Sequence, residues 1–286
     1  MKHAHTRFCV SIAAMILAAG SLQAANKVVV QDAHCNKTAV TYPLPAGWHG
    51  NGDVKWNAGA KHQGTMCVRT MEIVDKGEEM TVHYISAFDA PLKRSNPTAE
   101  ELAAKLMPAV TRMPGKRGTE LTQATLYSVP QDLAEFRMAR DHLNRRLGKK
   151  IEGKVYAVAA MCSDGTVIGA IVHERSERKL LHTTRTLSFH DICILSSEQG
   201  SPKQALLNLK TAATRAEFNH EWISDQIRIT ANTLNGMTKI DEKALPQIAD
   251  KAEERMKLGL PTVIDCMYDT WSKQHNAQKL AHRAPY

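Results

Sequence analysis

Apolar and polar residues alternate along much of residues 27 to 190, the period of strands that bury one face. "CVRTMEIVD" (67–75) and "MTVHYISAF" (80–88) read as two strands joined by a polar loop containing Lys76-Gly77. In the second, Met80, Val82, Tyr84 and Phe88 share a face. The period then lengthens in "NPTAEELAAKL" (96–106). Thr98 and Glu101 form a capping box there. Leu102, Leu106 and Val110 recur at helical spacing, and Pro108 is expected to end or kink the helix. "TELTQATLYSV" (119–129) returns to a strand pattern. "LAEFRMARDHL" (133–143) fits either period; the alternation of Leu133, Glu135 and Arg137 against Ala134, Phe136 and Met138 favours a strand. "KVYAVAAMCSDGTVIGAIVHE" (154–174) reads as a β-hairpin with a two-residue type I′ turn at Asp164-Gly165. Both of its faces are apolar, which places it centrally in a sheet. "ERSERKLLHTTRTLSF" (174–189) reads as a helix lying on that hairpin.

The character changes after Cys193. "SSEQGSP" (196–202) is a linker, and Ser201, Pro202 and Gln204 make a helix start. Leu206, Leu209, Ala213, Ala216, His220, Ile223, Ile227, Thr230 and Leu234 follow steps of three and four, a packing seam of coiled-coil type. Asn235-Gly236 stops it. A second stretch runs from Asp241 to Lys257 with Leu245, Ile248, Ala252 and Met256 on one side. Gly259 and Pro261 break it, and Val263, Ile264, Met267 and Trp271 resume it. The pattern predicts an α+β fold. A twisted antiparallel sheet packed with helices occupies residues 25–195, and an all-helical C-terminal region, a helical hairpin, occupies 201–286.

Composition adds a location. Residues 1–24 combine Lys2 and Arg7 with an apolar run from Val10 to Ala19 and a small-residue site at Leu22-Gln23-Ala24, the form of a secretory signal peptide. The run is too short to span a bilayer, and no later segment is long and apolar enough. The chain is therefore expected to be periplasmic or secreted. Removing Lys2 and Arg7 lowers the formal charge from +8 to +6. That surplus is a mild preference for anionic partners rather than a nucleic-acid signature.

"TYPLPAGWHGNGDVKW" (41–56) holds two prolines, three glycines and two tryptophans. Tyr42-Pro43 ends a strand, because proline cannot donate to a ladder. Gly47-Trp48 turns the chain, Gly50 to Gly52 makes a flexible tip, and Val54 to Asn57 returns. Trp48 and Trp56 then cover one end of the core; the alternative is an aromatic ligand pocket formed by the same pair. "YPLPAGW" before an antiparallel sheet, followed by helix, hairpin and helix, resembles PsbP-like and DcrB-like domains over residues 27–190. That resemblance implies a twisted antiparallel sheet between helices and a binding or assembly role without catalysis. It carries over no site residues and leaves residues 200–286 unexplained.

Five cysteines follow the leader. Export permits disulfides, and an odd count leaves one thiol over. The expected pairs are Cys162–Cys193 and Cys35–Cys67, with Cys266 the odd thiol on a helix. The chain has no P-loop, GxGxxG, HExxH or GxSxG pattern. "HDIC" (190–193) could begin a metal site only if further ligands converged there; a helix end beside a bonded cysteine is the simpler reading. His220 in "HEW" falls on the packing seam as a core polar group. No cofactor or metal site is expected. Arg137, Arg140, Arg145, Arg146, Lys149, Lys150 and Lys154 form a basic run without interleaved aromatics, unlike a nucleic-acid platform. Within it, Arg145, Arg146, Lys149 and Lys150 are the anion-binding candidates. The sequence thus reads as an exported, non-enzymatic binding or assembly protein. Its possible partners are a protein or an anionic envelope polymer, and self-association through the C-terminal helices is a further option. The alternative is an envelope hydrolase whose site is assembled from distant residues.

If the basic run is an anion site, its contacts displace counterions and binding falls steeply with salt. Changing Arg145, Arg146, Lys149 and Lys150 to Ser should then abolish retention on a polyanion column at low salt. Unchanged retention would identify the run as a solvated loop.

Overall fold

The computed structural model describes residues 26–57, 66–75, 78–85, 88–92, 96–135, 151–178, 183–197, 202–233 and 242–281. The strands are β1 (Lys27–Asp32), β2 (Lys37–Pro43), β3 (Trp48–Asn57), β4 (Met66–Asp75), β5 (Glu78–Ile85), β6 (Phe88–Pro91), β7 (Leu121–Ser128), β8 (Ile151–Cys162), β9 (Val167–Arg178), β10 (Thr183–Ser197) and β11 (Glu217–Phe218). The helices are α1 (Ala99–Thr111), α2 (Gln131–Glu135), α3 (Pro202–Thr214), α4 (His220–Thr233) and α5 (Leu245–Ala281). Among the described residues the strands form one sheet in the order β11-β2-β1-β3-β4-β5-β10-β9-β8-β7, with β6 also paired to β10. The pairing is antiparallel except between β1 and β3. The fold is α+β, as the pattern predicts.

The sheet separates two cores. On one face α1 buries Leu102, Leu106 and Val110 against Val158, Ala160, Ile168, Ala170, Phe189 and Ile194. The capping box at Thr98 and Glu101 starts this helix as expected. Pro108 does not end it. The buried stripe continues past the proline to Val110, and packing overrides local propensity. On the other face α3, α4 and α5 pack against the sheet. Leu206, Leu209 and Trp222 belong to the same cluster as Val30, Tyr42, Val82 and Tyr84, and so do Leu260, Val263 and Met267 with Ala157, Ala159 and Ile171. The helical region therefore shares one core with the sheet.

Small residues set how closely α5 approaches. A Cβ on Gly169 of β9 would lie 2.7 Å from Val263 and 2.8 Å from Met267. A Cβ on Gly259 of α5 would lie 2.2 Å from the Asp191 carboxylate. Both glycines are contact points rather than breaks. This explains why α5 runs through Gly259 and Pro261 as a single 37-residue helix, where the sequence pattern suggests an interruption. The Thr262 hydroxyl also donates to the Leu258 carbonyl at 2.8 Å, within the turn around the proline.

Four other expectations change. In the helix predicted over 174–189, residues 174–178 and 183–189 are strand and 179–182 lie outside the described residues: β9 and β10 pair antiparallel with Thr183 opposite Arg178. Leu187 and Phe189 face α1 while Ser188 and His190 face the other way, an alternation that cross-strand pairing makes decisive. Residues 131–135 are helical, whereas 136–150 lie outside the described residues. The 206–234 seam is divided between α3 and α4 by β11, which pairs with β2. Asn219 restarts the helix by accepting the amides of Glu221 and Trp222 through its side-chain oxygen. At the β8–β9 hairpin only Gly165 has positive φ, so the turn is not type I′, which needs two such residues.

The opposite half of the sheet is pinned by Asp32, at the end of β1. It is 1% exposed. One carboxylate oxygen accepts the indole N–H groups of Trp222 (2.7 Å) and Trp56 (2.8 Å). The other accepts the backbone amides of His34 (2.9 Å) and Cys35 (3.2 Å). Burial alone would raise the carboxyl's pKa. The two indoles and two amides outweigh burial and hold it below the ordinary carboxylate value.

Two substitutions test these contacts. Gly259→Ala forces its methyl into a buried, ion-paired carboxylate and should cost about 1–3 kcal/mol as an overpacking change. Trp222→Phe keeps most of the ring volume and removes one donor to the carboxylate, for a further expected loss of about 1.5–3 kcal/mol. Urea unfolding of each variant gives the values, and a loss near zero would show that the contact is dispensable.

Candidate functional site

The buried polar groups on the α5 side of the sheet gather where β10 is irregular. His190 pairs with Ile171 and Cys193 with Gly169, so β10 carries one extra residue at this point. A bulge of this kind re-aims side chains. Asp191 takes φ +50° here, an uncommon conformation for a residue with a side chain. Its carboxylate reaches α5 and accepts from Arg255 at 2.6 Å. Asp191 is 2% exposed at the side chain, so this ion pair is a true tether between helix and sheet.

Beyond the bulge, the same face of the sheet carries Ser188, His173, Arg175 and Asp89. Ser188 lies opposite His173 on β9 and Asp89 on β6. Arg175 donates to both the Ser188 hydroxyl and the Asp89 carboxylate, and the Ser188 hydroxyl donates to Asp89. Ser188 is fully buried beneath these partners, while Asp89 is exposed. His190 sits between this triad and the Arg255–Asp191 pair. It is 4% exposed, and neither ring nitrogen has a hydrogen-bond partner. Burial, then the charges of Arg255, Arg175 and His173, hold its pKa well below 6.5. The imidazole is neutral at pH 7 and offers one donor and one acceptor. An unpaired buried polar group of this kind is costly, and it marks the patch as the best candidate site.

The residues singled out in the sequence are dispersed. His190, Asp191 and Cys193 of "HDIC" all occupy the bulge, but they are strand residues and not a helix end. No group of three or more metal-ligating side chains occurs among the described residues. Trp48 and Trp56 do not form one pocket: they lie eight residues apart along β3, about 26 Å at the rise of a strand. Trp48 is core, and Trp56 is held by Asp32. Gly50 to Gly52 is not a tip; it pairs with Ile73 to Met71 of β4 inside the strand. His220 is at the start of α4, bonded to Asp250 at 2.9 Å. Arg145, Arg146, Lys149 and Lys150 lie outside the described residues.

The disulfide expectation is corrected. Cys162 and Cys193 are not bonded to each other. Their strands are separated by β9, about 9.6 Å at two strand spacings, beyond the reach of a disulfide. Their side chains also face opposite cores, Cys162 toward α1 and Cys193 toward α5. Burial, with a smaller contribution from Asp164, pushes the Cys162 thiol up to about 11. Cys266 on α5 is a buried thiol raised to about 12, again mainly by burial. Cys35 carries a thiol beside Asp32, and the side chain of Cys67 lies outside the described set.

Asp89, Arg175, Ser188 and Arg255 were not legible as site residues. They come from four elements, and only cross-strand register brings three of them together. Gly259 was the available signal, since a glycine inside a helical pattern marks a close contact.

The buried imidazole gives a pH dependence with a definite sign. His190 has a depressed folded pKa, so its contribution to stability is complete above the unfolded value of about 6.5. As pH falls below that value the unfolded chain takes up the proton first, and stability drops by at most about 1.4 kcal/mol per pH unit for this one group. His190→Leu should flatten that segment of the pH–stability curve, measured by urea unfolding at a series of pH values. An unchanged slope would show that His190 does not govern it.

No protein-family model and no curated protein matches the chain.

Proposed function

We propose that the chain is an exported binding or assembly protein of the cell envelope or extracellular space, and that it recognises its partner through the polar patch beside α5. The observation carrying this reading is the state of Ser188. Its proton is committed to Asp89, its lone pair accepts from Arg175, and its oxygen is buried. A nucleophile needs a base within about 2.6–3.2 Å of its hydroxyl. Here the hydroxyl faces a guanidinium that lowers its electron density, and neither nitrogen of the neighbouring His190 contacts it. Arg175, Ser188 and Asp89 instead form a fixed array on a rigid sheet, with the Asp89 carboxylate reaching solvent. Such an array suits recognition of a polar group.

The second reading is an envelope hydrolase. It is favoured by Ser188 and His190 sharing one face of β10, with Asp89 beside them. Reaction there would require Ser188 to leave Arg175 and meet the imidazole. Two measurements decide between the readings. Fractionation with mass analysis should find the chain outside the cytoplasm, beginning at Ala25. Purified protein offered ester, peptide and glycoside substrates should show no turnover above that of Ser188→Ala. Retention of the leader in the cytoplasm would remove the export part of the proposal, and turnover lost in Ser188→Ala would establish the hydrolase.

A further inference from the structure

The two ends of the sheet are built differently. One ends in β11, a strand of only two residues. Very short edge strands are a known protection against unwanted pairing. The other ends in β7, eight residues long, which pairs only with β8 among the described residues. Its sequence, LTQATLYS, contains no charge and no proline, and so lacks two usual safeguards of an edge strand. No residue of β7 is fully buried, and Leu126 is 43% exposed, the most exposed large apolar side chain among the described residues.

We propose that β7 is a self-association edge, where a second copy of this chain adds its own β7 in antiparallel pairing so that the two sheets become continuous. The geometry favours a second copy over an unrelated strand. A two-fold axis normal to the sheet keeps α1 of both copies on one side and α5 of both on the other, so the layers continue across the junction. Under that axis, residues on the same face come opposite each other. Ala124 and Leu126 lie on the α1 side, where Ala124 packs against the core. Leu126 therefore gains its missing apolar cover from Ala124 or Leu126 of the other copy. Gln123, Thr125 and Tyr127 lie on the α5 side and present no charge to their counterparts.

The flanking charges are also compatible. Glu120 sits just before the strand. Antiparallel pairing places the two Glu120 residues at opposite ends, about 33 Å or more apart at the rise of a strand, whereas parallel pairing would set them side by side. Near Tyr127, Lys273 is already paired with Asp269 at 2.6 Å and lies over the Tyr127 ring. This side of the edge thus adds no net charge. Self-association here is distinct from a contact through the exposed surface of the C-terminal helices.

Sedimentation of the mature chain across a concentration series tests the proposal. The wild type should pass from monomer to dimer. Leu126→Lys and Ser128→Lys place a charge on the edge at two exposed positions. They should weaken dimerisation by ~10-fold or more while leaving the unfolding transition unchanged. Should either variant fail to fold, hydrogen exchange on the wild type serves instead, with β7 amides gaining protection as concentration rises. A wild type that stays monomeric, including one that instead captures an extended peptide, overturns the proposal. So does a dimer unaffected by both folded variants, or one whose β7 amides exchange independently of concentration.

Discussion

The close seating of α5 on β9 and β10 is the contact on which the rest of the structure depends. Gly169 and Gly259 remove the two side chains that would hold helix and sheet apart. Ala157, Ala159 and Ile171 then meet Leu260, Val263 and Met267 in one apolar cluster. Close packing of this kind is intolerant of added atoms. It also fixes what can be buried at its margin. Only because α5 lies so near can Arg255 reach the Asp191 carboxylate at the bulge. A helix displaced outward by the width of a methyl group would leave a buried carboxylate without its cation, a far larger cost than the lost dispersion.

At the other end of the sheet a second buried carboxylate plays a comparable part with different chemistry. Asp32 is held without an ion pair, since Lys37 opposite it on β2 is paired with Glu221 and Asp225. Four N–H groups saturate its oxygens instead, two from indoles and two from the turn after β1. Because Trp56 belongs to β3 and Trp222 to α4, the carboxylate joins segments far apart in sequence through one atom. Hydrogen bonding to the charged form is what keeps such a group ionised despite burial. Asp32 thus adds a polar anchor to the apolar core shared by the N-terminal strands and α4, as the Asp191–Arg255 pair does for α5 and the strands beneath it.

What the sequence revealed follows from the range of the interactions involved. The capping box at Thr98, the pairing of β8 with β9 and the buried stripe of α1 are governed by residues a few positions apart and are readable in sequence, whereas the place of that hairpin near one end of the sheet is not. The polar residues Glu174–Arg178 and Thr183–Thr186 carry no strand signal in sequence, because their strand character comes from pairing with each other across β9 and β10, not from alternation of apolar residues. The supposed breaks at Pro108, Gly259 and Pro261 failed for a related reason: burial of a stripe against the sheet outweighs local cost. The division of the 206–234 seam depends on β2, some 170 residues earlier. The candidate site was legible only as "HDIC". Its remaining members, Asp89, Arg175, Ser188 and Arg255, meet only through register and helix seating.

The patch beside α5 stands against this background as a place where a costly arrangement lacks internal compensation. Asp32 is saturated, and Asp191 has its arginine. His190 has neither, although it is as deeply buried as both. Replacing an orphaned imidazole by an apolar side chain of similar size removes an unpaired polar group, a change that is often neutral or favourable for stability. A fold optimised for stability alone has no use for the histidine at this position. The bulge that aims Asp191 at α5 with a left-handed backbone carries a similar cost. Two local costs of this kind adjoin a fixed Arg175–Ser188–Asp89 array that reaches solvent at one end, and the proposed recognition role rests on that coincidence. The tryptophans of β3 lie elsewhere, Trp48 in the core and Trp56 bonded to Asp32.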